Sequence, residues 1–149
     1  MKGRLRKAAR KSIAPYRSKF EHDIAENLSS KGVRFEYEPH KVAFSRKAYR
    51  AECMDCGSTN IGTSSMYLPD FLIANGIYIE AKGRFTSKDR TKTLDILASN
   101  NDITRENFRM LFMQDKHTTA SKRMRYTDWC NKHNIICAVG TEVPEEWVK

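Results

Sequence analysis

The 149-residue chain has no apolar run near the ~20 residues that span a bilayer. Its N-terminus also lacks the apolar stretch and small-residue cleavage site of a secretory signal, so neither a membrane-spanning nor a secreted protein is expected. Cysteine is scarce, at four residues. A disulfide framework is not required at this size, because such a chain removes roughly 70% of its unfolded surface from water. There is no internal repeat and no low-complexity tract. Acidic residues are absent from the first 15 positions, which hold six Lys or Arg. Organelle transit peptides and nucleic-acid-binding tails share that composition, so it does not choose between them.

What is present is a basic excess: 27 Lys plus Arg against 18 Asp plus Glu, a formal net charge of +9. Residues 1 to 50 hold 14 basic and 5 acidic side chains, and the remaining chain holds 13 of each, so the whole excess sits in the first third. Such a chain attracts polyanions. No basic helix with a Trp/Leu face appears, so nucleic acid leads over an anionic membrane; the plainer reading is solubility alone. Residues 1–15 read as a flexible basic arm, because like charges repel and little there can be buried. Residues 16–149, within a chain 40% hydrophobic, read as one domain.

Phe20, Ile24 and Leu28 recur on one helical stripe, ending near Lys31-Gly32. Ser18 and Glu21 have capping-box spacing, which gives Glu21 a purely structural role to set against any chemical one. Val33, Phe35 and Tyr37 alternate with Arg34, Glu36 and Glu38 as in a half-buried strand, which Lys41 to Phe44 can extend. Residues 45–65 are polar and read as a long connection or a small inserted element. Tyr67 to Ala74 and Ile77 to Lys82 are apolar runs around Ala74-Asn75-Gly76, expected to form a hairpin at the centre of the sheet. A second helix is expected from Ser87 to Ser99 with Ser87 as its cap, then a strand from Phe108 to Met113, a helix from Thr127 to His133 and a strand from Ile135 to Val139.

The hairpin carries the chemistry. Glu80 and Lys82 share a face, because strand side chains alternate. A two-residue Asn75-Gly76 turn would set Phe71 opposite Glu80 and send Asp70 to the other face. A three-residue Ala74-Asn75-Gly76 loop with Gly76 left-handed sets Asp70 opposite Glu80, with side-chain origins at ~5 Å. Two carboxylates that close repel unless a proton or cation lies between them. A hard divalent ion such as Mg²⁺, which takes one or two carboxylates plus phosphate oxygens, suits that pair, and Lys82 can then hold a phosphate oxygen or orient the attacking water. The alternative is a salt-bridged strand pair of Asp70 or Glu80 with Lys82.

Pro69-Asp70, about ten residues, then Glu80-Ala81-Lys82 on a hairpin, with Glu21 on a preceding helix, resembles the PD-(D/E)XK nuclease superfamily. Lys31-Gly32-Val33-Arg34-Phe35-Glu36-Tyr37-Glu38, Asn75-Gly76-Ile77 and Pro144-Glu145-Glu146-Trp147 narrow the resemblance to the endonuclease I family of T-odd bacteriophages, over roughly residues 13–149. It implies an α/β restriction-endonuclease-like core (helix, three strands, helix, strand) with a mixed central sheet. It implies a metal-dependent endodeoxyribonuclease that resolves four-way (Holliday) junctions, with Mg²⁺ or Mn²⁺ held by Asp70, Glu80 and Glu21, and Lys82 as the catalytic lysine. It further implies branched double-stranded DNA as partner, a bacterial cytoplasm as the place of action, and a homodimer that exchanges N-terminal segments so that Glu21 of one chain completes the site of the other. The longer 45–65 connection departs from the familiar pattern.

Cys53-x2-Cys56 has the spacing of half a zinc site, which a second chain can complete; reduced thiols or a local bridge are the alternatives. Cys137 lies in an apolar setting that suggests the core, and Trp129 and Trp147 suggest packing rather than base stacking. His22, His40, His117 and His133 show no metal spacing and read as surface residues. Lys2, Arg4, Arg6, Lys7, Arg10, Lys11, Arg84, Lys116, Lys122, Arg123 and Arg125, with His117, are candidate phosphate contacts. Rival functions are a structure-nonspecific or mismatch-cutting nuclease of the same fold, and a noncatalytic zinc-ribbon-like DNA-binding module.

Overall fold

The computed structural model describes residues 14–46 and 64–149. The proposed arm and the Cys53/Cys56 pair lie outside the described residues.

Helix α1 (Lys19–Ser30) begins at Ser18, whose Oγ accepts the Glu21 N–H at 3.2 Å. Its stripe of Phe20, Ile24 and Leu28 is buried, as the four-residue spacing predicts. Gly32, at φ +69°, then turns the chain into β1 (Phe35–Tyr37). Strands β4 (Phe71–Ile73) and β5 (Tyr78–Lys82) form the expected hairpin, followed by α2 (Ser87–Ser99), β6 (Phe108–Phe112), α3 (Tyr126–Lys132), β7 (Ile136–Val139) and a short α4 (Glu145–Val148). The central sheet has the order β1-β4-β5-β6-β7. The β1–β4 and β4–β5 pairs are antiparallel, while β5–β6 and β6–β7 are parallel, so the sheet is mixed. The core order of helix, three strands, helix and strand is the one expected.

Alternation along these strands sorts the core into two layers. Phe71, Ile73, Ile79 and Leu111 pack under α1 with Val143 and Trp147. Tyr78, Phe108, Met110 and Phe112 pack on the opposite face with Phe85 and Ile96, and with Tyr126, Trp129 and Cys130 of α3. Both tryptophans are thus core residues.

Four expectations change. Lys41 to Phe44 does not extend the first strand: β2 (Val42–Ser45) pairs with β3 (Ser64–Tyr67) in a separate two-stranded ribbon. The apolar run from Tyr67 to Ala74 is consequently broken, and Leu68 to Asp70 carry the chain from ribbon to sheet. The cap of α2 is Thr86, not Ser87, because Thr86 and Asp89 satisfy each other's backbone N–H groups in a capping box. Cys137 is only half-buried, since β7 is an edge strand, whereas Cys130 is fully enclosed.

Candidate active site

The β4–β5 connection decides whether a site exists. Ile73 N–H donates to Ile77 O at 3.0 Å and Gly76 N–H to Ile73 O at 2.9 Å, closing a three-residue loop with Gly76 at φ +89°. That conformation favours glycine. Phe71 therefore pairs with Ile79 and Leu72 with Tyr78, and the next step of the same register brings Asp70 opposite Glu80. The carboxylates meet as the three-residue loop requires. Asp70 Oδ2 accepts the Ala81 N–H at 2.8 Å, which ties it to the strand that carries Glu80 and Lys82.

Glu80 is buried. Its Oε2 accepts the hydroxyl of Tyr67, and its Oε1 lies 3.4 Å from Lys82 Nζ. Lys82 Nζ lies equally far, 3.4 Å, from Asp89 Oδ1 in the first turn of α2. The lysine is thus held between a carboxylate of its own strand and one of the helix that follows.

Burial, followed by the charge of Glu80, pushes Asp70 up to about 9; Glu21 adds to the rise and the Ala81 N–H opposes it. Burial also raises Glu80, against the pull of Lys82 and the Tyr67 hydroxyl. For Lys82, burial favours the neutral amine, but Glu80 and Asp89 outweigh it and hold its pKa above the ordinary lysine value. Without a cation, then, two facing carboxyl groups cannot both be ionised at neutral pH, while the lysine stays charged.

Glu21 is buried at the start of α1, where Ser18 Oγ donates to its Oε2 at 2.6 Å and the Tyr37 hydroxyl to its Oε1 at 3.1 Å. Its structural role at the cap is therefore real. Its link to the sheet is the Tyr37 hydroxyl of β1, and its charge adds to the rise of the Asp70 carboxyl. Among the described residues no three Asp, Glu, His or Cys side chains converge closely enough to cage an ion. What the fold assembles is the pair Asp70 and Glu80, with Glu21 beyond it. The donor set fits an ion that takes two carboxylates and leaves its other positions to water and phosphate oxygens. Asp70 Oδ1 accepts no hydrogen bond from the described residues.

The candidate phosphate contacts separate by position. Arg84 is exposed just beyond Lys82, and Lys116, Lys122, Arg123 and Arg125 are exposed on the segment between β6 and α3. That segment is pinned by the bridge between His117 and Arg125 and by Arg125 Nη1 donating to Asp115 O at 2.9 Å. Lys2, Arg4, Arg6, Lys7, Arg10 and Lys11 lie outside the described residues. His40 is exposed, while His22, His117 and His133 are half-buried rather than fully at the surface. His133 packs on Trp129 with ring centroids 4.5 Å apart.

Two residues at this site escape the sequence reading. Asp89 has a readable signal, Thr86-x-x-Asp89, which the choice of Ser87 as cap conceals. Tyr67 has none, since it looks like any aromatic residue in an apolar run.

Comparisons with known proteins identify the chain's relatives. The whole chain, residues 1–149, matches the family described as phage endonuclease I. It is 32% identical over 140 residues to "Endonuclease I" of Escherichia phage T7, covering 93% of this chain and 82% of that protein. It is 30% identical over 124 residues to "Endodeoxyribonuclease 1" of Enterobacteria phage T3, covering 83% of this chain and 70% of that protein. With a mixed α/β fold, a hairpin that sets Asp70 against Glu80 beside Lys82, and a match along its full length, the chain belongs to the phage endonuclease I family.

Proposed function

We propose that this DNA endonuclease hydrolyses phosphodiesters of branched DNA, preferring four-way junctions, with Asp70, Glu80 and Lys82 as its catalytic residues and Glu21 as a further carboxylate. The observation that carries the reading is the facing of two carboxylates across one hairpin, with a charged lysine 3.4 Å from one of them. Burying like charges together is unfavourable unless something positive is to be bound. A noncatalytic zinc-ribbon module offers no reason for it.

Asp70 Oδ1 and Glu80 Oε1 would hold Mg²⁺ or Mn²⁺, with Glu21 near enough to add its charge. Such an ion supplies Lewis acidity toward the scissile phosphate. Lys82 donates to a phosphate oxygen or orients the attacking water, and its ammonium offsets negative charge as phosphorus becomes pentacoordinate. The Ala81 N–H keeps Asp70 in place. Arg84, the segment from Lys116 to Arg125, and Lys2 to Lys11 would track the DNA backbone, giving affinity without sequence preference.

The preference for branch points follows the motif order that resembles junction-resolving phage enzymes, and so does the homodimer. In an exchanged dimer Glu21 of one subunit would complete the site of the other. The proposed setting is the cytoplasm of an infected bacterium; among the described residues no helix is long and apolar enough to cross a membrane.

The test is one assay of a four-way junction beside a matched linear duplex, with Mg²⁺, Mn²⁺ or a chelator. Cutting of the junction in either metal, with the duplex largely spared, is the expected result. Equal cutting of both substrates would overturn the branch preference, and undiminished cutting in chelator would overturn the metal site.

A further inference from the structure

We propose that Tyr67 is a positioning residue that fixes which oxygen of Glu80 faces the substrate. The inference rests on the nuclease reading and deepens it.

Tyr67 is 4% exposed and belongs to β3, in the ribbon rather than the central sheet, where it pairs with Val42. Its hydroxyl donates to Glu80 Oε2. Lys92 Nζ of α2 lies over the ring, 5.2 Å from its centroid. The ring thus touches both helix and strand, and its hydroxyl and Lys82 engage different oxygens of Glu80. Oε1, 3.4 Å from Lys82 Nζ, is the oxygen left to the site. Asp70 is arranged the same way, with Oδ2 taken by the Ala81 N–H and Oδ1 open. Each carboxylate therefore presents a single oxygen, and the two devices come from different parts of the fold: a backbone amide for Asp70, a ribbon phenol for Glu80.

A glutamate side chain has a broad terminal torsion. Without the hydroxyl, both Glu80 oxygens compete for Lys82 and for a cation, and the orientation that suits chemistry is only one of several. Removing a hydrogen bond that orients a metal-binding carboxylate typically costs about 10–100-fold in metal affinity or activity. Through this bond the ribbon touches a proposed catalytic side chain. Tyr67 is therefore also the link by which the placement of β2 and β3 reaches the reaction centre.

The test is Tyr67→Phe, which keeps the ring, its packing and the stack with Lys92. Three quantities are read for wild type and variant: Mn²⁺ affinity without DNA, from the free-ion EPR signal; junction affinity in chelator; and the single-turnover cleavage rate at saturating Mn²⁺. Thermal melting monitors the fold. The expected result is a loss of about tenfold or more in Mn²⁺ affinity or cleavage rate, with junction affinity held within twofold. A variant within twofold of wild type in both Mn²⁺ affinity and rate would overturn the proposal while leaving the nuclease reading intact. So would parallel losses in melting temperature, junction affinity and rate, which mark a purely structural residue. A wild-type protein that binds no Mn²⁺ and cuts nothing would instead overturn the nuclease reading beneath it.

Discussion

Lys82 Nζ lies 3.4 Å from Asp89 Oδ1, and the other oxygen of that carboxylate accepts the Thr86 N–H at 2.9 Å. One side chain both caps α2 and anchors the proposed catalytic lysine. Asp89→Ala loses both roles and is expected to lower the melting temperature, because a helix cap contributes about 0.5–2 kcal/mol. Asp89→Asn can still accept the Thr86 N–H, so it should melt closer to wild type while cleaving more slowly than wild type. Melting curves beside single-turnover rates separate the two roles, and a wild-type rate in Asp89→Asn would show that Lys82 does not depend on this anchor.

Glu80→Ala and Lys82→Ala are each expected to abolish cutting while junction binding stays within a few fold. In the proposed mechanism, basic side chains spread over the surface supply affinity, whereas these two supply chemistry. Gel-shift titration and cleavage on the same junction check this, and full activity in either variant would sink the site assignment.

Stability without metal should depend on pH in a definite direction. Asp70 has its folded-state pKa pushed up to about 9 from an ordinary carboxylate value of 3.8. Between those limits the folded protein binds more protons at this position than the unfolded chain, so this group makes stability fall as pH rises from about 4 toward 9. In chelator, Asp70→Asn should therefore melt higher than wild type at pH 8, with the gap closing as pH approaches 4. A constant gap across that range would mean that Asp70 is not held in the protonated form.

Deleting residues 2–11 removes six Lys or Arg side chains. DNA binding should weaken, and its dependence on salt should flatten, since each phosphate contact contributes a slope of about 0.9. Affinities measured across a salt series decide the point, and an unchanged slope would mean that these residues do not touch DNA.

Composite sites can be detected by mixing Glu21→Ala with Asp70→Ala subunits, each expected to be inactive alone. In an exchanged dimer one site carries both defects and the other carries neither, so mixing should restore nicking of one strand. Within self-contained subunits every site carries one defect. A heterodimer verified by mass that still fails to nick would show that each chain builds its own site.

Sequence alone determined what depends on neighbours along the chain. The spacing of Phe20, Ile24 and Leu28 dictated α1, and Ala74-Asn75-Gly76 narrowed the hairpin to a two- or a three-residue turn, of which only the longer puts Asp70 opposite Glu80. Both follow from local geometry, so the central pair of the candidate site was legible as one of two registers, and the folded hairpin chose between them. Only tertiary structure decided that Tyr67 leaves the sheet for the ribbon and meets Glu80, that Asp89 meets Lys82, and that Glu21 meets the Tyr37 hydroxyl as well as its cap. These contacts join residues on separate elements, and their existence depends on how helix, sheet and ribbon pack. Buried polar atoms must find partners wherever packing brings them together, and no pattern of neighbours along the chain records which partner that is.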